Sequence, residues 1–408
     1  MDLDVLCAQV QQDGADEVAE KNDAESSIIV LSSPLALDGD YSTGSNGGAP
    51  NLMQRVFSLF KNIRPGSDLT SFQLPPQFNI PKSQLQCYGE AIYCVSNDLL
   101  HQCNSGKTPL DRIASVVAWS ISTARPLMFG FAPYNPILGE THHGSRGTLN
   151  VLVEQVSHHP PVSALHATDE KENVEVIICE HQVPKFYGTS IEAEPKGKRI
   201  LNLLSHGESY VLNSPKLSIK FLPVPNVEWV GTVRVHCVES GLEAEYAFKG
   251  SSVLTRKENQ KMINGKIFES STQKTICEII GHWDRTVSVK SVEHGNQNII
   301  YNAKESISTL KTPTVKHPSE VWESESGRVW GEVSQGIKSN EWEKARKAKR
   351  NVEEKERELA KERKRTGEVW SPKHFRVSYS KENGWECSPL QKWVPPAPIV
   401  FPSQLPAL

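Results

Sequence analysis

The sequence predicts a mainly β protein with helical attachments, an α+β chain whose single large antiparallel sheet curls toward a barrel. Three observations carry that reading. Across residues 148–303, short β-rich runs follow one another with only Gly, Asn, Pro and charged turns between them. No helical pattern separates those runs, as the crossovers of a parallel sheet would require. Helical periodicity is confined to the flanks, in amphipathic stripes before the runs and a charge-alternating stretch after Pro313.

The 408 residues suffice for two average domains or one large β-rich one with a single sizeable core. Lysine and arginine total 45 against 48 acidic residues, a net charge of −3. That balance excludes a polycation that coats nucleic acid, and any anion site has to come from a local cluster. Eight cysteines without a C-x-x-C pair suit free thiols in a reducing compartment, not disulfides or structural zinc. Met1-Asp2-Leu3-Asp4 is acidic where a signal peptide is basic, and no apolar run reaches the roughly 18 residues of a membrane span. The expectation is a cytosolic protein that touches membranes peripherally and transiently. No G-x-x-x-x-G-K-[ST], H-E-x-x-H or G-x-S-x-G pattern occurs, so neither an enzyme nor a cofactor is implied.

Taken in order, residues 1–50 are rich in Asp, Glu, Ser and Gly and read as a disordered lead. The lead's one apolar patch, Ile28-Ile29-Val30-Leu31, is either an edge strand or idle. From Asn51, the residues Leu52, Val56, Leu59, Phe60 and Ile63 fall on one face of a short helix over 51–63, packed on the core or serving as a lid. Arg64-Pro65-Gly66 ends it, and the prolines at 75, 76 and 81 keep the next segment extended. Thr108 is a good N-cap with Pro109 at the first helical position and Asp111 in the first turn. Leu110, Ile113, Ala114, Val117, Ala118 and Ile121 then repeat at helical spacing, a core helix.

Strands are expected at 149–156, 174–179, 217–222, 229–238, 242–248, 266–269, 276–283, 287–292 and 299–301. A sheet of that size, once curled, encloses room for an apolar ligand. Residues 341–365 alternate Glu with Lys and Arg without a breaker, a long exposed helix. From Pro389 the chain is proline-rich and extended, with no function assigned.

The most unusual chemistry lies in Glu154-Gln155-Val156-Ser157-His158-His159-Pro160-Pro161, at the end of an apolar run. Two adjacent imidazoles both donate hydrogen bonds and take positive charge readily beside an anion. No metal site is assigned to them with His142, His143 and His166, because neighbouring strand residues face opposite ways and no Cys or carboxylate spacing supports one. Ser157 with His158 is not a nucleophile pair, since triads are assembled from distant segments, and no catalytic residue is assigned. Lys349, Glu353 and Arg357, at i, i+4 and i+8, share one helix face over about 12 Å.

With these motifs the chain resembles the oxysterol-binding protein-related family of lipid transfer proteins, whose signature the eight residues 154–161 match in full. The resemblance extends over 51–375. It includes Arg64-Pro65-Gly66-Ser67-Asp68-Leu69, Asn135-Pro136-Ile137-Leu138-Gly139-Glu140, Gly281-His282-Trp283-Asp284 and Trp370-Ser371-Pro372-Lys373-His374-Phe375. It is greatest with the short plant members that consist of the lipid-binding domain alone, and the residues before Asn51 are too few for a pleckstrin-homology domain.

The resemblance implies a nearly closed antiparallel barrel around an apolar tunnel, with an N-terminal lid and a helical C-terminal part. It places the domain at 51–375 and a proline-rich tail at 376–408. By resemblance, His158, His159 and Asn135 bind the phosphate of phosphatidylinositol 4-phosphate, Lys349 and Arg357 contact the headgroup, and Glu353 bonds inositol hydroxyls. Leu52, Val56, Leu59 and Phe60 belong to the lid, and Leu69 and Thr70 lie near the glycerol and acyl chains. One position departs from the pattern: Ala132 stands where the family has a phosphate-binding lysine, with Arg125 upstream as the candidate substitute. The implied activity is that of a monomeric carrier that extracts a sterol or phospholipid and exchanges it for phosphatidylinositol 4-phosphate. The alternatives are a lipid-responsive sensor that signals to a protein partner, and a histidine-dependent lipid hydrolase.

Overall fold

The computed structural model describes residues 28–37, 49–93, 95, 99–251, 259–308 and 310–402. The first flank comprises α1 (Ala49–Phe60), β1 (Asn79–Ser83), α2 (Gln84–Tyr93), α3 (Leu99–Ser105), α4 (Pro109–Ser122) and β2 (Ala132–Tyr134), which pairs in parallel with β1. The start of α4 follows its sequence. Thr108 accepts from the Asp111 N–H, the Asp111 carboxylate takes the Thr108 N–H at 3.0 Å, and Pro109 occupies the first turn. Its burial is not a stripe, however: Val116 and Trp119 are as buried as Ile113 and Val117. The helix has partners on nearly every side.

Those partners are the strands. They run as β3 (Thr141–Arg146), β4 (Leu149–His158), β5 (Pro161–Asp169), β6 (Val174–Phe186), β7 (Ser190–Leu203), β8 (Glu208–Leu212), β9 (Lys216–Lys220), β10 (Asn226–Cys237), β11 (Leu242–Phe248), β12 (Met262–Glu269), β13 (Thr275–His282), β14 (Thr286–Ser291) and β15 (Gln297–Asn302). These thirteen pair antiparallel with one another in a sheet of fifteen strands in all, β9 bridging β7 and β10. Curvature follows from what α4 touches. Arg112 pairs with Glu208 of β8 at 2.7 Å, Trp119 lies under the Arg199 guanidinium of β7, and Ser120 accepts from the Tyr246 hydroxyl of β11 at 2.8 Å. The helix also packs on β15. Seven strand spacings from β7 to β15 span about 34 Å when flat. Fourteen helical residues reach only about 21 Å, so the sheet has to wrap the helix.

The second flank holds α5 (Ala303–Ile307), β16 (Thr314–Val315), α6 (Ser326–Val329), α7 (Gly331–Lys338), α8 (Trp342–Thr366), β17 (Phe375–Ser380), β18 (Gly384–Pro389) and β19 (Ile399–Val400). The end strands β15 and β16 do not pair with each other among the described residues, so the expected barrel is a strongly curved sheet without a clear closure. Helix α8 stops at Gly367, whose φ of 72° suits glycine.

Two expectations are corrected. A disordered lead does not describe residues 28–37, which dock in extended form: the Val30 N–H donates to Gly327 O at 2.9 Å, the Leu37 N–H donates to Ile307 O at 3.2 Å, and Leu35 and Ala36 are buried. The Ile28-Ile29-Val30-Leu31 patch joins no sheet, and residues 1–27 and 38–48 lie outside the described residues. The tail is likewise part of the body over its described residues, 376–402. Strands β17 and β18 form a hairpin against β6, and β19 enters the main sheet between β3 and β16. Pro395 and Pro396 lie in the irregular stretch between β18 and β19, and the Pro395 carbonyl itself is bonded to His143 Nε2 at 2.8 Å.

Candidate functional site

A cavity of about 1120 Å³ opens between the inner face of the sheet and helices α1, α2 and α8. Strand alternation builds its wall: Ile178, Glu180, Gln182 and Pro184 of β6 face it beside Ile191, Ala193, Pro195 and Arg199 of β7. Helix α1 covers one side. The Phe60 ring sits 5.1 Å from Phe72, 5.5 Å from Phe186 and 5.4 Å from Phe221, and Val56 and Phe60 are buried. Val56, Leu59, Phe60, Leu69 and Thr70 all line the cavity, whereas Leu52 packs in the same aromatic cluster without lining it. Gly130, with φ of 84°, lets the backbone approach α1, since a Cβ there would lie 2.9 Å from Val56 Cγ2.

At the rim the structure gathers His158, His159, Asn135, Lys349, Glu353 and Arg357, all of which line the cavity. His158 closes β4 opposite Pro161, and its ring centroid lies 4.7 Å from that of His159. Burial, reinforced by His159, pushes His158 below the ordinary imidazole range, against the pull of the Pro136 carbonyl. Its Nδ1 is buried and has no hydrogen-bond partner among the described residues. Asn135 is exposed on a loop held by the buried Glu140 carboxylate. That group accepts from the Ser326 hydroxyl at 2.7 Å, Trp330 Nε1 at 2.9 Å, the Ile137 N–H at 3.0 Å and the Ser83 hydroxyl. Burial raises the Glu140 pKa despite those four donors.

Lys349 is buried on α8 and already engaged. Its ammonium donates to Asn79 Oδ1 at 2.8 Å and to the Leu74 carbonyl. Burial lowers it to about 8, opposed by Glu353. Arg357 lies 3.7 Å from the Glu353 carboxylate, whose pKa burial raises against Lys349 and Arg357. Ala132 lines the cavity too, and its carbonyl accepts from Asn79 Nδ2 at 3.1 Å, so one amide joins this segment to Lys349. Arg125 lies buried in the wall with Nη2 donating to Glu90 O at 3.3 Å.

Sequence reasoning missed how the eight-residue signature divides. Glu154 accepts from the Lys373 and His374 N–H groups at 2.8 and 2.9 Å, and Gln155 bonds the Ser163 hydroxyl at 2.6 Å and Ser157 O at 3.0 Å. These two residues fasten segments, while the histidines face the cavity. Also missed was a charged patch on the inner wall. Arg199, pushed down by burial, donates to Thr123 Oγ1 at 2.9 Å, and Glu180 accepts from the Ser214 hydroxyl. Strand parity is the signal that would have found it. The other histidines have separate partners: His142 bonds Glu325 at 2.7 Å and His166 bonds Glu175 at 3.0 Å. No metal-binding cluster occurs among the described residues.

Residues 56–334 match the family model for oxysterol-binding protein. The chain is 54% identical over 377 residues to oxysterol-binding protein-related protein 4C of Arabidopsis thaliana, covering 92% of this chain and 99% of that protein. Related protein 4B of the same plant is 52% identical over 376 residues, 91% of this chain and 97% of its own. Among solved structures, the Osh1 ORD domain in complex with cholesterol aligns with a TM-score of 0.70 at 22% identity, over 88% of this chain and 90% of that one. The Osh3 ORD of Saccharomyces cerevisiae in complex with PI(4)P aligns at 0.62 and 20% identity, over 87% and 91%. At those identities the structural likeness shows the fold.

Proposed function

The chain belongs to the oxysterol-binding protein family, and from that premise we propose that it is a monomeric lipid carrier which extracts a sterol or phospholipid from one membrane and exchanges it at another for phosphatidylinositol 4-phosphate. The observation that carries this reading is the convergence of His158, His159, Asn135, Lys349 and Arg357 on the rim of one 1120 Å³ cavity closed by an apolar helix. A phosphomonoester brings about −1.5 to −2 charge, and each charge-assisted hydrogen bond contributes about 1.5–3 kcal/mol. Several converging donors therefore offset desolvation of a phosphoinositide headgroup. Acyl chains or a sterol nucleus inside gain about 0.8 kcal/mol per buried methylene.

Ala132 and the engaged Lys349 set this rim apart, leaving His158, His159 and Arg357 a larger share of the phosphate. Membrane contact is supplied by the same rim. Helix α8 carries eleven Lys and Arg against six Glu, in a chain whose total charge is −3. Phe57, 42% exposed, projects from α1, and a cationic helix together with an exposed ring suits an anionic bilayer surface. The test is to expose the purified protein to liposomes made from a mixed cell lipid extract, reisolate it and identify bound lipid by mass spectrometry. A sterol or phosphoinositide in stoichiometric amount is expected, and recovery of no lipid overturns the reading.

A further inference from the structure

Residues 28–37 cross the helical flank as a strap, and the groove beneath is shaped to main chain. The Val30 N–H donates to Gly327 O, Lys338 Nζ donates to Leu31 O at 2.7 Å, Ser32 Oγ to Pro81 O at 2.8 Å and Lys82 Nζ to Ser33 O at 2.8 Å. Two glycines make the space. A Cβ on Gly331 would lie 2.0 Å from Ile28 O, and one on Gly327 would lie 3.3 Å from Val30 O. Pro34, Leu35 and Ala36 are buried beneath the exposed Ser33, and Leu35 lines the cavity together with Glu90 and Ala91 of α2.

We propose that residues 28–37 are a second closure of the cavity, with Leu35 as its plug and the main-chain latch around Gly331 and Lys82 as its hold. The proposal rests on the reading of the cavity as a lipid site. Two features make the strap an element that opens. It is held by isolated hydrogen bonds and a few buried side chains rather than by a strand ladder, which places it at the low-stability end of the molecule. The buried cation that holds it is shared: Lys82, 2% exposed, also pairs with the Glu90 carboxylate at 2.6 Å. When the strap leaves, that ion pair persists, so opening strands no unpaired buried charge. Lipid then gains a route past α2 that leaves α1 and its aromatic cluster in place.

Gly331→Ala in the full chain tests this. Alanine favours a helix start over glycine, yet its Cβ cannot coexist with Ile28 in place. Leu35→Ala, which keeps the latch and shrinks the plug, is the companion variant. Each protein is loaded from phosphatidylcholine liposomes containing a fluorescent sterol or an acyl-labelled phosphatidylinositol 4-phosphate. Release into acceptor liposomes is then timed, and chymotrypsin cleavage at Leu31, Leu35 and Leu37 is followed in parallel. Gly331→Ala is expected to expose the strap to cleavage, and both variants to release lipid about tenfold faster, equivalent to about 1.4 kcal/mol of closing energy. Normal loading with unchanged release in both variants overturns the strap's role. Failure of the parent protein to load either probe overturns the lipid reading beneath it.

Discussion

If the proposed headgroup site is right, Lys349 should give binding a pH dependence that separates it from the histidines. The free lysine titrates at about 8 because burial disfavours its charge, with Glu353 pulling the other way. A phosphomonoester against the ammonium favours the charged form, so binding takes up a proton wherever the free lysine is neutral. Affinity is therefore full below about 8 and falls as pH rises through that value. At pH 9, charging a group of that pKa costs about 1.4 kcal/mol, so affinity drops about tenfold from pH 7. Two other titrations stay out of this window. The phosphate's second ionisation, near 6, is over by pH 7, and His158 is held below the ordinary imidazole range. The assay is extraction of phosphatidylinositol 4-phosphate from phosphatidylcholine liposomes at pH 7, 8 and 9 at constant ionic strength, with sterol extraction as the control. Lys349→Met should bind more weakly at pH 7 and lose the slope. A flat wild-type profile, or a slope that survives in Lys349→Met, refutes the reasoning.

Two further outcomes are expected. Replacing both histidines, His158→Ala with His159→Ala, abolishes phosphoinositide extraction while sterol uptake stays largely intact; equal loss of both lipids in the liposome assay contradicts separate rim and cavity roles. Glu154→Ala leaves the Lys373 and His374 N–H groups without their acceptor, at about 1–3 kcal/mol for each unsatisfied donor. Its denaturant midpoint should fall well below that of Glu154→Gln, which retains one acceptor oxygen, and matching midpoints would remove Glu154 from the scaffold.

Local signals made some of this molecule legible. Thr108, Pro109 and Asp111 specify the start of α4 within four residues, and β11 alternates buried and half-buried side chains over its whole length. Where the inner wall is polar, the pattern fails. Glu180, Gln182 and Arg199 interrupt the apolar alternation, so the sequence pattern ends β6 at 179 and shows no strand at β7. Pro160 and Pro161 signal termination, yet Pro161 opens β5. The strap and the C-terminal strand dock largely through backbone groups, such as the Phe401 N–H on Ser145 O at 2.8 Å, and main-chain bonds leave no trace in side-chain composition. Lys349 was legible as a residue of one helix face. Its engagement was not, because Asn79 and Leu74 lie more than 250 positions away.

That engagement changes what the eight-residue signature says about ligand choice. Glu154 and Gln155 hold the 370–375 segment and Ser163, contacts that folding alone requires. Val156, Ser157, His158, His159 and Pro161 line the cavity, but only the two histidines among them can carry positive charge, so a full match to the signature reflects a shared scaffold at least as much as a shared headgroup. The discriminating positions lie outside it. Asn79 bonds both the Ala132 carbonyl and the Lys349 ammonium, and Ala132 brings no cation of its own. On the proposed reading, a phosphate at this rim would compete with an amide and a carbonyl for Lys349 and meet no second lysine from the 132 position. Discrimination between a phosphoinositide and an uncharged lipid would then, on the same reading, be set by how readily Asn79 and Leu74 release that ammonium, a property no motif of contiguous residues encodes.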